Sequence, residues 1–141
     1  MNGPRKLIVV DASAVVALLT ADAHTGGWVA ERCSGATLAA PDVLPFEVGN
    51  ALRRLERGGL LDRTAAGMAH HDLLDLSMQL WPYSVLADRA WELRHAVTVR
   101  DGTYVALAEA LDAPLVTMDA RLARANGPRC AMHTPVASPP P

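Results

Sequence analysis

Four acidic residues of this 141-residue chain stand beside apolar segments, where a carboxylate is unexpected. Asp11 interrupts the apolar run "LIVVDASAVVALL", and Asp119 ends the segment "APLVTMD". Asp101 begins the segment "DGTYVALAEAL", and Glu47 lies early in "LPFEVGNALRRL". Because burying an isolated ionised carboxylate is very costly, each acid needs either a hydrogen-bonding role or a positive partner.

Gathered in one place, these four acids would form a metal site. Two carboxylates about 4 Å apart repel each other by ~4 kcal/mol at an effective dielectric of ~20. A divalent cation removes that repulsion, and ligation by oxygen alone suits Mg²⁺ or Mn²⁺. Such a metal ion can activate water and stabilise an in-line displacement at phosphorus.

Each acid also has a purely structural interpretation. Asp11, Asp101 and Asp119 could each cap a helix, because an aspartate at that position accepts hydrogen bonds from the amides of the first turn. Glu47 could be a solvated surface residue, which is the commonest environment of a glutamate. The metal-site hypothesis therefore depends on the four acids as a set, and on the elements that would bring them together.

Strands and helices are predicted to alternate along the chain. The strands are expected at 7–10, 37–40, 81–86 and 113–119, and the helices at 12–20, 28–34, 41–59, 61–80, 87–96, 101–111 and 120–125. This alternation favours an α/β fold around a largely parallel sheet. Parallel sheets bind ligands at the carboxyl ends of their strands. Since Asp11 and Asp119 each follow a strand, they are expected at the same edge of the sheet.

Glu47 lies on a helix that the spacing of its apolar residues makes amphipathic. A face expected to pack on the core consists of Leu44, Val48, Ala51, Leu52 and Leu55. Asn50 and Arg54 follow Glu47 by three and seven residues, so they share its strip of the helix surface.

Length and composition are typical of a single globular domain. No apolar run reaches the ~20 residues of a membrane span, and the N-terminal segment does not have the pattern of a signal peptide. Cys33 and Cys130 lie far apart and match no metal-binding spacing, so a reduced, cytoplasmic protein is expected. The formal net charge of −2 gives no general attraction for nucleic acid. We expect one domain over 1–130 and a flexible tail over 131–141, because "VASPPP" cannot continue a regular element.

Four segments of the chain resemble, in order, the four acidic motifs of PIN-domain ribonucleases, and most closely those of the VapC toxins of bacterial toxin–antitoxin pairs. The segments are "VVDASAVVALL", "PDVLPFEVGNALRR", "VRDGTYVALAEAL" and "PLVTMDARLARA". The resemblance spans Leu7 to about Ala125 and implies a PIN-like α/β/α sandwich with a central, mostly parallel sheet. Gly102 is a small departure, because alanine is common at that position.

By this resemblance, the catalytic and metal-binding residues are Asp11, Glu47, Asp101 and Asp119. The resemblance further implies hydrolysis of RNA phosphodiesters with Mg²⁺ or Mn²⁺, leaving a 5′-phosphate and a 3′-hydroxyl. Ser13 and Thr117 match the hydroxyl residues beside the first and last acids, and Asn50 matches a polar position after the glutamate. Arg54 joins them as a candidate supporting residue because it shares the strip of Glu47.

The partners that the resemblance implies are an RNA substrate, a small cognate antitoxin and a second copy of the chain in a homodimer. The tail of the antitoxin is expected to occupy the active-site groove. Two alternatives stay open within the family: a PIN-domain nuclease in RNA processing outside a toxin–antitoxin system, and a catalytically inactive PIN binding module. The inactive module is disfavoured because all four acids are present.

Two other enzyme classes agree less well with the residues. The segment "DASAV" superficially resembles the first motif of haloacid-dehalogenase-type phosphatases, but Ser13 replaces the second aspartate, and Lys6 is the only lysine. A response-regulator receiver domain would need a lysine after a late strand, and this chain has none there. The segment "HHDLLD" places His71 and Asp75 one helical turn apart, where they could bridge a transition metal, although a solvated helix face is the favoured interpretation.

Overall fold

A single parallel sheet organises the computed structural model, which describes residues 3–20 and 24–135. The strands are β1 (Leu7–Val10), β2 (Thr37–Pro41), β3 (Met78–Trp81), β4 (Leu115–Val116) and β5 (Met132–His133). Their spatial order is β3-β2-β1-β4-β5, and every neighbouring pair is parallel. The prediction of a mostly parallel sheet is therefore confirmed.

Helices cover this sheet in two groups. They are α1 (Ala12–Thr20), α2 (Thr25–Cys33), α3 (Leu44–Arg57), α4 (Arg63–Asp75), α5 (Ala87–Glu92), α6 (Val99–Ala110) and α7 (Ala120–Ala123). Helices α1 to α4 pack on one another, whereas α6 packs against β1, β2 and α5. Right-handed crossovers place these groups on opposite faces, because the chain moves one way from β1 to β3 and returns across the sheet to β4. The predicted α/β/α sandwich is confirmed.

The centre of the core lies where α6 crosses β1. Val9 and Leu115 are fully buried on neighbouring strands, and α6 contributes the buried side chains of Tyr104 and Leu107. Gly102 permits the close approach of α5 to α6, since a Cβ atom there would lie 3.1 Å from the carbonyl oxygen of Ala90. The local packing of this chain thus accounts for glycine at a position where alanine was expected.

Three predicted elements need the largest corrections. The strand expected at 81–86 lies earlier, at β3, and a 3₁₀ turn, Tyr83–Val85, follows it. Pro82 ends the strand because proline cannot donate to the ladder. Helix α4 accordingly ends at Asp75 instead of continuing to 80, and α5 ends at Glu92 instead of 96.

The sheet also extends beyond the domain boundary predicted at 130. Strand β5 pairs with β4 in parallel, with His133 opposite Val116, so the predicted flexible tail is wrong for these residues. The segment "VASPPP", 136–141, lies outside the described residues. Within the described part of the chain, no helix has the length and apolar character needed to cross a membrane.

Helix α4 offers a direct test of how its start is encoded, because both Asp62 and Thr64 are plausible caps by sequence. In the structure, Asp62 is the cap, and its Oδ1 accepts a hydrogen bond from the Ala65 amide at 2.7 Å. We expect Asp62→Ala to lower the free energy of unfolding by about 1 kcal/mol, measured by urea denaturation. Thr64→Ala is the matched control and should change it little, so equal losses in both variants would contradict this assignment.

Candidate active site at the carboxyl ends of β1 and β4

The strand order creates a crevice at one edge of the sheet. After β1 the chain continues to β2 on one side of the sheet, and after β4 it continues to β5 on the other side. In parallel sheets, ligands bind outside the carboxyl ends of two neighbouring strands whose connections run in opposite directions. Asp11 directly follows β1, and Asp119 stands three residues after β4. A cavity of about 410 Å³ opens here, and its walls include Asp11, Asp119, Glu47 and Asp101. The structure thus brings the four predicted acids together.

Asp11 is the most deeply buried of the four acids, with 7 % of its surface exposed. Its Oδ1 accepts hydrogen bonds from the Ser13 hydroxyl at 2.6 Å and the Ala14 amide at 2.9 Å, and its Oδ2 accepts one from the Thr117 hydroxyl. Burial raises the pKa of Asp11, and repulsion from Asp101 adds to it, although the hydrogen bonds act in the opposite direction. Asp11 therefore caps α1 and also presents a carboxylate to the cavity.

Ser13 and Thr117 tie the ends of the two strands together around Asp11. The amide of Met118 donates to the Ser13 hydroxyl at 3.0 Å, and the amide of Asp119 donates to the Thr117 hydroxyl at 3.0 Å. Each hydroxyl thus receives a bond from the β4 side while it donates to Asp11. This network holds the first and last acids at a set separation.

Asp119 also has a structural partner in the helix that follows it. Its Oδ1 accepts hydrogen bonds from the amides of Arg121 at 2.9 Å and Leu122 at 3.3 Å, so it caps α7. No bond to its Oδ2 occurs within the described residues. The capping interpretation and the site interpretation are therefore compatible at this position as well.

Glu47 is held by two contacts from α6. The Tyr104 hydroxyl donates to its Oε1 at 2.8 Å, and Arg100 forms an ion pair with its Oε2 at 3.1 Å. The Glu47 side chain is only 15 % exposed, so the interpretation as a solvated surface residue is wrong. Burial raises the pKa of Glu47, and the charges of Asp101 and Asp11 raise it further, against the effect of Tyr104 and Arg100.

Asp101 is the least constrained of the acids. It is the third residue of α6 and does not cap it, because the cap is Thr98, whose hydroxyl accepts a bond from the Asp101 amide at 3.1 Å. The capping interpretation of Asp101 is therefore wrong. Its carboxylate accepts no hydrogen bond from residues 3–20 or 24–135. Both oxygens are thus available to a ligand in the cavity.

Comparison with known proteins gives this arrangement its family. The family model described as PIN domain matches residues 8–128. The chain belongs to the PIN domain family. It is 42 % identical to ribonuclease VapC12 of Mycobacterium tuberculosis over 121 residues, which cover 86 % of this chain and 93 % of that protein. It is also 42 % identical to ribonuclease VapC1 of the same organism over 127 residues, with 86 % and 92 % covered.

Solved structures agree with this assignment. PAE2754 of Pyrobaculum aerophilum is 31 % identical, with a TM-score of 0.61 over 85 % of this PIN domain and 86 % of that chain. VapC20 of Mycobacterium tuberculosis, described as a sarcin-ricin loop cleaving toxin, is 22 % identical. Its TM-score is 0.61, and the match covers 82 % of this chain and 92 % of that chain. At that identity the likeness to VapC20 is one of fold. The resemblance carried by the four motifs is confirmed.

Two further predicted residues, Asn50 and Arg54, line the acidic cavity of this PIN domain. Both are exposed and lie on α3, one and two turns after Glu47, as their spacing predicted. Their roles stay predictions. His71 and Asp75 lie apart from this cavity on the exposed surface of α4, with 3.3 Å between His71 Nδ1 and Asp75 Oδ2.

Sequence reasoning did not assign Arg100 and Tyr104, which hold Glu47 in place. A signal was available, because Arg100 precedes Asp101 directly and Tyr104 follows it by one helical turn. The buried Tyr104 phenol lies in contact with the Glu47 carboxylate. Burial raises the pKa of Tyr104 most, and the negative charge of Glu47 raises it further. Tyr104 therefore stays protonated and donates to Glu47.

Removing the Tyr104 hydroxyl should weaken the site without unfolding the domain. Because Glu47 loses one of its two contacts, we expect Tyr104→Phe to slow RNA cleavage about tenfold, the equivalent of one hydrogen bond to a charged group. Tyr83→Phe is the matched control, since Tyr83 is half exposed and lies outside the acidic cavity. Cleavage rates of the two variants, with circular dichroism to check the fold, decide the matter. Equal cleavage rates in both variants would show that the Tyr104 hydroxyl does not support cleavage.

Proposed function

We propose that this PIN domain is a divalent-metal-dependent endoribonuclease and the toxin of a VapBC-type toxin–antitoxin pair. The observation that carries the proposal is the convergence of four carboxylates on one open cavity, where the Asp101 carboxylate accepts no bond from the described residues. The names of the VapC relatives, which are ribonucleases, support the choice of RNA as substrate.

The donor set fits a hard divalent cation. Four carboxylates supply oxygen ligands alone, which suit Mg²⁺ or Mn²⁺. Their mutual repulsion contributes to the raised pKa values of Asp11 and Glu47, so the cavity has more negative charge than Arg100 neutralises. We propose that Asp11, Glu47, Asp101 and Asp119 hold the metal. When bound, it supplies Lewis-acid stabilisation of charge on the phosphate and lowers the pKa of water.

The residues of the chain have separate tasks in this proposal. Ser13 and Thr117 orient Asp11, and Tyr104 orients Glu47, so the carboxylates need no rearrangement during the reaction. In this proposal Asp101, whose carboxylate accepts no hydrogen bond from the described residues, accepts a proton from the attacking water. Transfer of the water oxygen to phosphorus then breaks the bond to the leaving 3′-oxygen, which takes up a proton from solvent water, and Asp101 returns its proton to the solvent. The products are a 5′-phosphate and a 3′-hydroxyl.

Binding partners complete the proposal. We propose a homodimer in the cytoplasm that a small cognate antitoxin neutralises by placing its tail over the acidic cavity. The VapC names of the relatives support this, because the four acidic motifs of this chain resemble those of the VapC toxins of such pairs. Co-expression with a short open reading frame encoded beside the gene should yield a stable complex that suppresses RNA cleavage.

RNA cleavage by the partner-free protein tests the proposal. Total cellular RNA is incubated with the protein in Mn²⁺, and new ends are captured by ligation that requires a 5′-phosphate. Discrete internal cuts carrying a 5′-phosphate are expected. Folded, metal-loaded protein that makes no cut in total RNA, and is harmless when expressed in cells, would contradict the proposal.

A further inference from the structure

A second cavity, of about 460 Å³, opens beside the acidic one and shares two of its walls. Asp101 and Asp119 line both cavities, so the two spaces adjoin at the sheet edge. The far wall of the second cavity is formed by the segment between α5 and α6 and by α7, and it includes Arg94, His95 and Arg121. Positive side chains therefore follow the acids directly along this surface.

Arg94 is held at this cavity by two contacts that leave its charge uncompensated. Its Nη1 donates to the carbonyl oxygen of Trp91 at 2.8 Å, and its guanidinium lies 4.6 Å from the centre of the Trp91 ring. No carboxylate pairs with Arg94 within the described residues. A guanidinium that is oriented but unpaired loses little entropy on binding an anion, and its planar N–H groups match a phosphate.

Arg121 supplies the second positive charge at this cavity. Its side chain is 89 % exposed, and its Nε lies 3.9 Å from Asp119 Oδ1, at the outer limit of an ion pair. An exposed pair at this distance contributes little, so Arg121 is available to another anion. Since Arg54 and Arg100 line the acidic cavity, arginines occur in both of these adjoining cavities.

We propose that the second cavity binds the RNA backbone next to the cleaved bond, with Arg94 and Arg121 contacting its phosphates. This inference rests on the proposed nuclease function. A net charge of −2 gives the protein no general attraction for RNA, so the affinity comes from local cations. Phosphates are favoured over an acidic peptide because the cavity shares Asp101 and Asp119 with the site where the cleaved phosphodiester is proposed to lie. The second cavity thus extends the proposed substrate site in one direction along the RNA strand.

The test compares two double variants that remove equal charge. Arg94→Gln with Arg121→Gln alters the cavity. Arg5→Gln with Arg129→Gln removes the same charge from the amino end of the sheet, where Arg5 precedes β1 and Arg129 precedes β5. Binding of a labelled single-stranded RNA is followed by fluorescence anisotropy at several KCl concentrations, with Ca²⁺ present to neutralise the acids. A polyglutamate peptide is the competing probe.

We expect the cavity variant to bind RNA about tenfold more weakly and to lose about 1.4 from the slope of log affinity against log salt, the value for two phosphate contacts on a single strand. The control variant should match the wild type in both measures. Equal affinity and slope in the two variants would overturn the inference. So would a cavity variant that loses polyglutamate binding but keeps RNA binding, because the cavity would then be a site for an acidic peptide.

Cleavage measurements separate this inference from the proposed function. If both hold, the cavity variant cleaves RNA with a raised KM and a kcat near that of the wild type. If the wild type cleaves no RNA with any divalent metal but the cavity variant still loses RNA affinity, the nuclease proposal fails and the binding site stands. If cleavage is normal and RNA affinity is unchanged in the cavity variant, only the binding site is contradicted.

Discussion

Asp101→Asn is expected to lower the rate of metal-dependent RNA cleavage by at least about a hundredfold, the usual effect of removing one preorganised charged or polar group from a catalytic site. The substitution leaves the shape of the side chain and its helix start intact, since the Thr98 cap bonds the backbone amide and not the carboxylate. It removes only the charge that faces the cavity, which is the proposed metal ligand and proton acceptor. The initial rate of cleavage of a defined RNA measures the effect.

Asp88→Asn is the matched control for this variant. Asp88 is an exposed residue in the first turn of α5 and does not line the acidic cavity. Its substitution should leave the rate within a factor of about two, as expected for a surface change. Asp101→Asn protein that keeps more than a third of the wild-type rate would show that this carboxylate takes no part in the reaction.

Divalent metal should stabilise the folded wild-type protein markedly. At a free Mn²⁺ concentration of 100 times its Kd, binding to the folded state alone adds about 2.7 kcal/mol to the free energy of unfolding. For a domain of this size, that gain corresponds to a rise in Tm of about 8 °C. The physical reason is the clustered charge of Asp11, Glu47 and Asp101, whose repulsion the cation cancels. Differential scanning fluorimetry with Mn²⁺ or with EDTA measures it.

The same experiment on Asp101→Asn separates a specific site from general salt effects. We expect the metal-free variant to melt no lower than the metal-free wild type, because no hydrogen bond from the described residues is lost. The rise in Tm with Mn²⁺ should be less than half of that in the wild type. An equal rise in both proteins would place the bound metal somewhere other than the acidic cavity.

Much of this site could be predicted because the order of strands and the spacing of residues along a helix determine where a side chain lies. Asp11 and Asp119 each follow an apolar segment, and parallel strands bring such positions to one edge. Glu47 was placed by the apolar spacing of its helix, and Asn50 and Arg54 followed from it at intervals of one and two turns. These inferences use local periodicity, which a single sequence contains.

Contacts between elements were beyond that reasoning. The ion pair of Arg100 with Glu47 and the hydrogen bond from Tyr104 join α6 to α3, residues more than fifty positions apart in sequence. Their existence depends on how the two helices pack, which periodicity does not report. Strand β5 was missed for a related reason, because two residues show no alternation, and their place in the sheet comes from pairing with β4.

The predicted bounds of two elements were wrong because one residue next to each element decides where it begins or ends. Helix α6 begins at Val99 because Thr98 caps it, whereas the sequence predicted a start at Asp101. The Asp101 carboxylate instead accepts no hydrogen bond from the described residues and lines the cavity, as the proposed function requires. Pro82 likewise moved the third strand to Met78–Trp81.

Removal and return of the metal tests the central claim most directly. Protein stripped with EDTA and then dialysed is mixed with one defined RNA, and Mn²⁺ is added in steps while internal cleavage is followed. The account predicts no cleavage before the addition and a saturable rise in rate afterwards, to the level of the untreated protein. Cleavage at the full rate by the stripped protein would contradict a mechanism in which the four acids act through a metal ion.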